Sequence, residues 1–202
     1  MLLQGLAGSL EDEQRRQLGM INNSGRNLLE LINGILDLAK VESAQDRPTI
    51  GKVDVGVVAR EMFDTVGPMD DVKGIEMRWT CPDGLRPVQT DGLRVSQILL
   101  NLMGNAVKFT EHGYVSATVS QDDSGVTVAV GDSGRGIAAE DLERVFDDFY
   151  QVTPHGSAKS QGTGLGLAVS RRLAESVGAQ IEVTSEPGRG SIFTLRIPER
   201  PR

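Results

Sequence analysis

The chain carries one cysteine, Cys81, in 202 residues. A disulfide within the chain is therefore excluded, and a thiolate zinc site has too few ligands. A lone thiol suits a reducing compartment, and Cys81 is expected to be a buried or half-buried packing residue. Histidine is nearly as scarce. His112 follows a helix-like segment and His155 sits in a polar loop, so neither is assigned a catalytic role. Basic residues are outnumbered, with 21 Lys plus Arg against 28 Asp plus Glu and a formal net charge of −7. A general nucleic-acid binder needs a basic face, so no nucleic-acid partner is expected. An anion could still be held locally by backbone N–H groups. No run approaches 18 apolar residues, so no membrane span is expected. The first residues lack the basic-then-apolar pattern of a signal peptide. The cytoplasm is the expected location.

What is present is an ordinary globular composition, 39% apolar and 24% charged, with glycine as the outlier. Glycine numbers 24, and eleven of these fall between Gly125 and Gly190. That third of the chain needs special backbone geometry. The length suits one large domain, or one domain with an appendage.

The chain changes character near Asp46-Arg47-Pro48. Before it lies one helical pattern. Ser9 and Asp12 have capping-box spacing, which predicts a helix from Leu10 to about Ala44. Leu18, Ile21, Gly25, Leu28, Ile32, Ile35 and Ala39 alternate at spacings of three and four, the seam of a coiled coil or bundle. Leu29, Leu31, Leu36 and Leu38 widen that face, so more than one partner helix is expected. Leu2, Leu3 and Leu6 resemble the end of an earlier helix.

Beyond Pro48 the periodicity predicts a short strand near 49–53 and a helix capped by Asp54 and running to about Val72. Strands follow at 75–81 and 88–90, then a helix over 92–108. Strands at 114–120 and 126–132 are joined by a turn at 122–125. A short helix is predicted at 139–146, a loop at 147–163 and a helix at 164–177. A hairpin of 180–184 and 191–197 ends the pattern. The elements do not alternate as regular βαβ units, so an α/β sandwich is expected, a mixed sheet with helices on one face.

Three segments carry candidate chemistry. On the 92–108 helix, Arg94, Gln97, Asn101, Asn105 and Lys108 share one face. Asparagine is a poor helix former. The stripe is either plain polar surface or a cation and phosphate site. Amide oxygens are hard ligands suited to Mg²⁺, and Lys108 offers a point charge to phosphate. Asp132-Ser133-Gly134-Arg135-Gly136 follows a strand. It is either an ordinary turn or a carboxylate placed to accept from an exocyclic amine, as adenine presents. Gly162-Thr163-Gly164-Leu165-Gly166-Leu167 opens a helix, either as a flexible loop or as an anion cradle at a helix N-terminus. Phe146-Asp147-Asp148-Phe149 lies between, and both phenyl rings are expected in the core. No Rossmann or Walker A pattern is present.

Taken in this order, the segments resemble the catalytic, ATP-binding half of a bacterial sensor histidine kinase, of the Bergerat-fold ATPase superfamily. Residues 101–110 resemble its N box and 132–136 its first glycine box. Residues 146–149 resemble its F box and 162–167 its second glycine box, and 188–193 resemble the closing hairpin. The resemblance covers essentially the whole chain. It implies a partial dimerisation and phosphotransfer domain at 1–46, with a long bundle helix, and a catalytic ATP-binding domain at 47–202. It implies ATP and Mg²⁺ as cofactors, with Asn105 as chief metal ligand, Asn101 in support and Lys108 on phosphate. Asp132 would accept from the adenine amine, and Gly136 would let the base pack closely. Phe109, Gly134, Ile137 and residues Gly162, Thr163, Gly164, Leu165, Gly166 and Leu167 would complete the nucleotide site. The implied reaction moves the γ-phosphoryl group to a histidine nitrogen. The implied partners are an acceptor-histidine helix of the same or a second protomer, a response-regulator receiver domain, an upstream sensor domain and a second copy in a homodimer.

Two departures stand out. The family's His-Glu acceptor motif is absent from the sequence, so the chain is expected to bind ATP without phosphorylating itself. Asp148 occupies the position where the F box usually has proline, which is expected to loosen the lid without abolishing binding. Hydrolysing relatives of the fold place a glutamate base four residues before the metal-binding asparagine. Here that position is Asn101, which cannot take a proton from water. Anti-sigma-factor serine kinases lack a long leading helix. A degenerate nucleotide-binding or scaffold module is the non-enzymatic alternative.

Overall fold

The structure, a computed structural model, describes residues 10–42, 47–67, 74–152 and 162–200. Ser9, Leu2, Leu3, Leu6, Ala44 and His155 lie outside them. Helix α1 spans Asp12–Glu42, beginning two residues later than the spacing predicts. Acidic Asp12 and Glu13 suit its positive end, and the Gln14 side chain accepts from the Glu11 N–H at 3.1 Å. Strand β1 (Gly51–Val53) and helix α2 (Val55–Val66) follow. The Asp54 carboxylate caps α2 by accepting from the Val57 N–H. The described helix runs to Val66 with Gly67 as its C-cap; Val72, near which the spacing predicts its end, lies outside the described residues. Gly67 and Pro68 follow Val66 in the sequence, and proline has no N–H to continue a helical ladder.

Strand β2 (Glu76–Thr80), β3 (Val88–Thr90), helix α3 (Gly92–Phe109), β4 (Tyr114–Gln121) and β5 (Gly125–Asp132) come next. Helix α4 (Gly166–Ser176) and the hairpin β6 (Gln180–Glu186) and β7 (Gly190–Pro198) complete the order. The predicted helix at 139–146 is instead two short 3₁₀ turns, Ala139–Asp141 and Arg144–Phe146. Neither has a side-chain cap, and a single turn has no ladder to reward nucleation.

The main sheet has the order β2-β4-β5-β7-β6. Strands β2 and β4 are parallel, and every other pair is antiparallel. Strands β1 and β3 form a separate antiparallel ladder. Alternation decides which face is covered. Val115, Ala117 and Val119 of β4 are buried with Val128, Val130, Leu195 and Ile197, beneath Ile98, Leu99, Leu102 and Met103 of α3. Their alternates, Thr118, Ser120 and Arg196, face solvent. A mixed sheet with helices on one face is therefore observed, as expected. Cys81 is half-buried, and burial pushes its thiol up from the ordinary value.

Asp91 gathers several of these pieces. As N-cap of α3 it accepts from the Leu93 and Arg94 N–H groups at 3.0 and 3.2 Å. Its other oxygen accepts from the Thr49 N–H at 2.7 Å, 42 residues away in sequence. Arg94 is buried beside it at 3.7 Å and donates to the Ser176 hydroxyl at the end of α4.

Candidate functional site

The apolar half of α3 is fixed by the sheet, and this aims its polar half into a cavity. The cavity holds about 200 Å³, against the roughly 10–15 Å³ that one ordered water occupies. Asn101, Asn105, Lys108 and Phe109 supply one wall. Asp132, Gly136 and Ile137 supply a second; Gly162, Thr163, Gly164, Gly166 and Leu167 supply a third. Twelve of the fourteen residues singled out from sequence therefore converge.

Gly134 and Leu165 do not line it. The Gly134 N–H donates to the Asp132 carboxylate at 2.8 Å, and a side chain on Gly134 would meet the Phe109 carbonyl oxygen at 2.5 Å. Its part is to orient the aspartate. Leu165 is buried on the other side. A side chain built on Gly34 of α1 would lie 3.0 Å from it, so glycine there lets the long helix settle on the start of α4.

Asp132 ends β5, deep in the cavity. Burial raises its carboxyl above the ordinary value, and the Gly134 and Ser191 N–H groups partly oppose this. Gly136 has positive φ (68°), and any side chain there would collide with the Glu186 carbonyl oxygen. That glycine is required by the β6–β7 hairpin whatever ligand binds; the Gly188 N–H also bonds the Arg135 carbonyl across this contact at 2.8 Å.

The asparagines are not equivalent. Asn101 donates from Nδ2 to the Ser170 hydroxyl at 2.9 Å, tying α3 to α4. Asn105 donates from Nδ2 to Asn101 Oδ1 at 3.4 Å, which leaves its own oxygen for a ligand. No cluster of three His, Cys, Asp or Glu side chains suited to a metal occurs among the described residues. A cation here would be held by amide oxygen and by a ligand's own anionic groups, a donor set that Mg²⁺ accepts.

Helix α4 starts without a side-chain cap: Leu165, its N-cap, makes no such bond. Its first N–H groups are therefore left for an anion. The sequence reading missed Ala106, Arg135, Val145, Tyr150, Gln151, Val152, Ser191 and Phe193, which also line the cavity. Ser191 could have been found from pairing, since it faces Asp132 across β5 and β7. Tyr150 and Gln151 directly follow the F-box segment.

The two phenylalanines part company. Phe146 packs edge-on to Phe193 with centroids 6.4 Å apart. Phe149 is 57% exposed rather than in the core. Asp148 is not a loose position either: both its oxygens accept from the Arg172 guanidinium at 2.9 Å. His112 is exposed.

Residues 90–201 match the family of histidine kinase-, DNA gyrase B-, and HSP90-like ATPases. The chain belongs to this family, and the domain it forms is the catalytic, ATP-binding one of the sensor histidine kinases. The aerobic respiration control sensor protein ArcB of Escherichia coli (strain K12) is 39% identical over 191 residues, 93% of this chain and 25% of ArcB. The sensor histidine kinase RcsC of Salmonella typhimurium (strain LT2) is 35% identical over 205 residues, 97% of this chain and 22% of RcsC. Full-length ShkA in complex with AMPPNP superposes with a TM-score of 0.76 at 36% identity, covering 94% of this chain and 40% of that one. The chain thus spans about a quarter of the length of the curated relatives named here.

Proposed function

We propose that this chain binds Mg-ATP in the cavity and, within a longer protein, passes the γ-phosphoryl group to a histidine nitrogen on a helical hairpin. The observation that carries the reading is the pairing of opposite chemistries across one cavity. A buried acceptor, Asp132, faces amide and ammonium groups on α3 and an uncapped helix start on α4. Asp132 would accept from the adenine amine; guanine presents an acceptor at that place and would be repelled. Asn105 would contribute its oxygen to the cation, with Asn101 fixing the Asn105 amide. Lys108 and the N–H groups of Gly162, Thr163, Gly164, Gly166 and Leu167 would hold the phosphates. Mg²⁺, when bound, neutralises phosphate charge. The protein's own part is then positioning and charge stabilisation, which dominate phosphoryl transfer generally. No carboxylate stands at position 101 to activate water, so steady hydrolysis is expected to be very slow.

The wider reading assigns residues 1–46 to a dimerisation and phosphotransfer hairpin and residues 47–202 to the catalytic domain. Ile21, Leu28, Ile32 and Ile35 of α1 are exposed, which supports helices of a hairpin and of a second copy as their cover. A response-regulator receiver domain as relay partner, an upstream sensor domain and a cytoplasmic location belong to the same reading. No helix among the described residues is long and apolar enough to cross a membrane.

Calorimetric titration with Mg-ATP, and with Mg-GTP as control, tests it. Saturable binding of ATP and not of GTP is expected. No ATP binding by folded protein overturns the reading in favour of a scaffold module.

A further inference from the structure

Phe149 is the one non-glycine residue with positive φ among those described, at 61°. It sits third in a four-residue turn, Asp147 to Tyr150, closed by a Tyr150 N–H bond to the Asp147 carbonyl at 3.2 Å. Glycine or asparagine normally fills such a position. A phenylalanine there is strained and persists only where its surroundings over-determine the backbone. Its exposed ring does not supply that restraint.

The neighbours do. Asp148 takes both guanidinium nitrogens of Arg172 at 2.9 Å. Arg172 lies on α4, the helix that opens at the second glycine loop. On the turn's other side Gly164 (φ 74°) leaves no space, since a side chain there would lie 2.6 Å from the Phe149 carbonyl carbon. Tyr150 donates its hydroxyl to Asp141. The turn is thus pressed onto the glycine loop and tied to its helix. The residues that leave it, Tyr150 and Gln151, form cavity wall, and Gln151 donates to the Gly162 carbonyl at 3.0 Å.

We infer that Arg172, through its two-pronged bond to Asp148, is a positioning residue for the nucleotide cavity: it holds the strained turn that sets the Tyr150–Gln151 wall against the glycine loop. The inference rests on the ATP reading for its consequence and on contacts alone for its mechanism. Arg172 touches no ligand in this scheme. A planar fork is required rather than a charge, so lysine would not substitute.

Two measurements separate the layers. Hydrogen exchange on the nucleotide-free chain reads the turn directly. Arg172→Ala and Asp148→Ala are each expected to speed exchange across 147–152 and 164–166 while the sheet strands keep their protection. Mg-ATP titration reads the consequence. Both variants are expected to raise Kd about fivefold, the worth of one well-formed ion pair. Arg172→Lys is expected to behave like Arg172→Ala. Phe149→Gly relieves the strain, so Arg172→Ala with Phe149→Gly is expected to return Kd to within about twofold. Unchanged exchange in the single variants overturns the clamp. Faster exchange with unchanged Kd overturns the positioning role, as does a Kd loss that Phe149→Gly fails to relieve. If the unchanged chain binds no Mg-ATP, the ATP reading fails and the positioning role with it, whereas the exchange result still reports the clamp.

Discussion

Helices α1 and α3 carry the same kind of apolar stripe and meet opposite fates. In α3, Ile98 and Leu99 are fully buried beneath the chain's own sheet. In α1, Ile21 is 67% exposed and Ile32 47% exposed. A periodic stripe specifies a face and says nothing of what covers it. The sheet covers α3 because the chain supplies both layers. The α1 helix meets the chain's own domain at α4, with Leu165 resting in the glycine notch at Gly34, and its exposed apolar residues suit another helix.

The comparison breaks most sharply in the core. Leu102→Ala is expected to cost about 2–5 kcal/mol of folding free energy, read by urea denaturation, because the rigid sheet cannot collapse into the space. Next comes the carboxylate that α3 faces. Asp132→Asn is expected to weaken Mg-ATP binding about 10- to 100-fold, since an amide donor then confronts the base amine. The same change is expected to raise Tm by about 2–4 °C at neutral pH, because a buried charge is removed. Its pH dependence follows from sign. The folded-state value of Asp132 is raised, so the cost of its charge is present above that value and fades as acid protonates it. The stabilisation seen in Asp132→Asn should therefore shrink as pH falls through the raised value, and ATP affinity of the unchanged chain should fall over the same range.

Smaller effects sharpen the α1 side. Gly34→Val fills the notch under Leu165 and is expected to cost about 1–3 kcal/mol at that contact. Hydrogen exchange should show α1 losing protection while β4, β5 and β7 keep theirs. Ile32→Ala in the single chain is expected to change stability by no more than about 0.5 kcal/mol, a surface value. A core-sized loss in dilute protein would show that α1 is already covered.

Much of this was legible beforehand because the physics was local. The spacing of Asn101, Asn105 and Lys108 is helix geometry, and the alternation along β4 and β5 is strand geometry. The turn at Asp122 is local too, with its carboxylate accepting from the Ser124 and Gly125 N–H groups at 2.7 and 3.2 Å. What escaped depends on contacts distant in sequence. Asp148 read as a loosening substitution because its partner Arg172 lies 24 residues away. Leu165 read as part of the glycine cradle because nothing local shows that it turns toward Gly34. Gly136 read as room for a base, whereas a hairpin some fifty residues on already requires it. The 3₁₀ turns at 139–146 look like a helix by composition and are too short to nucleate one.

The bond from Thr49 to Asp91 has a mechanical side. The peptide that leads from α1 toward the sheet first meets the domain at a three-residue ladder and at this one carboxylate. Pull or twist α1, and part of the load enters there, beside the part that enters through the Gly34–Leu165 contact. Asp91 is the N-cap of α3, so the force arrives at the head of the rod whose far half bears Asn101, Asn105 and Lys108. Because α3 is clamped along its length by the sheet, it transmits such a load as a rigid lever rather than absorbing it as a spring.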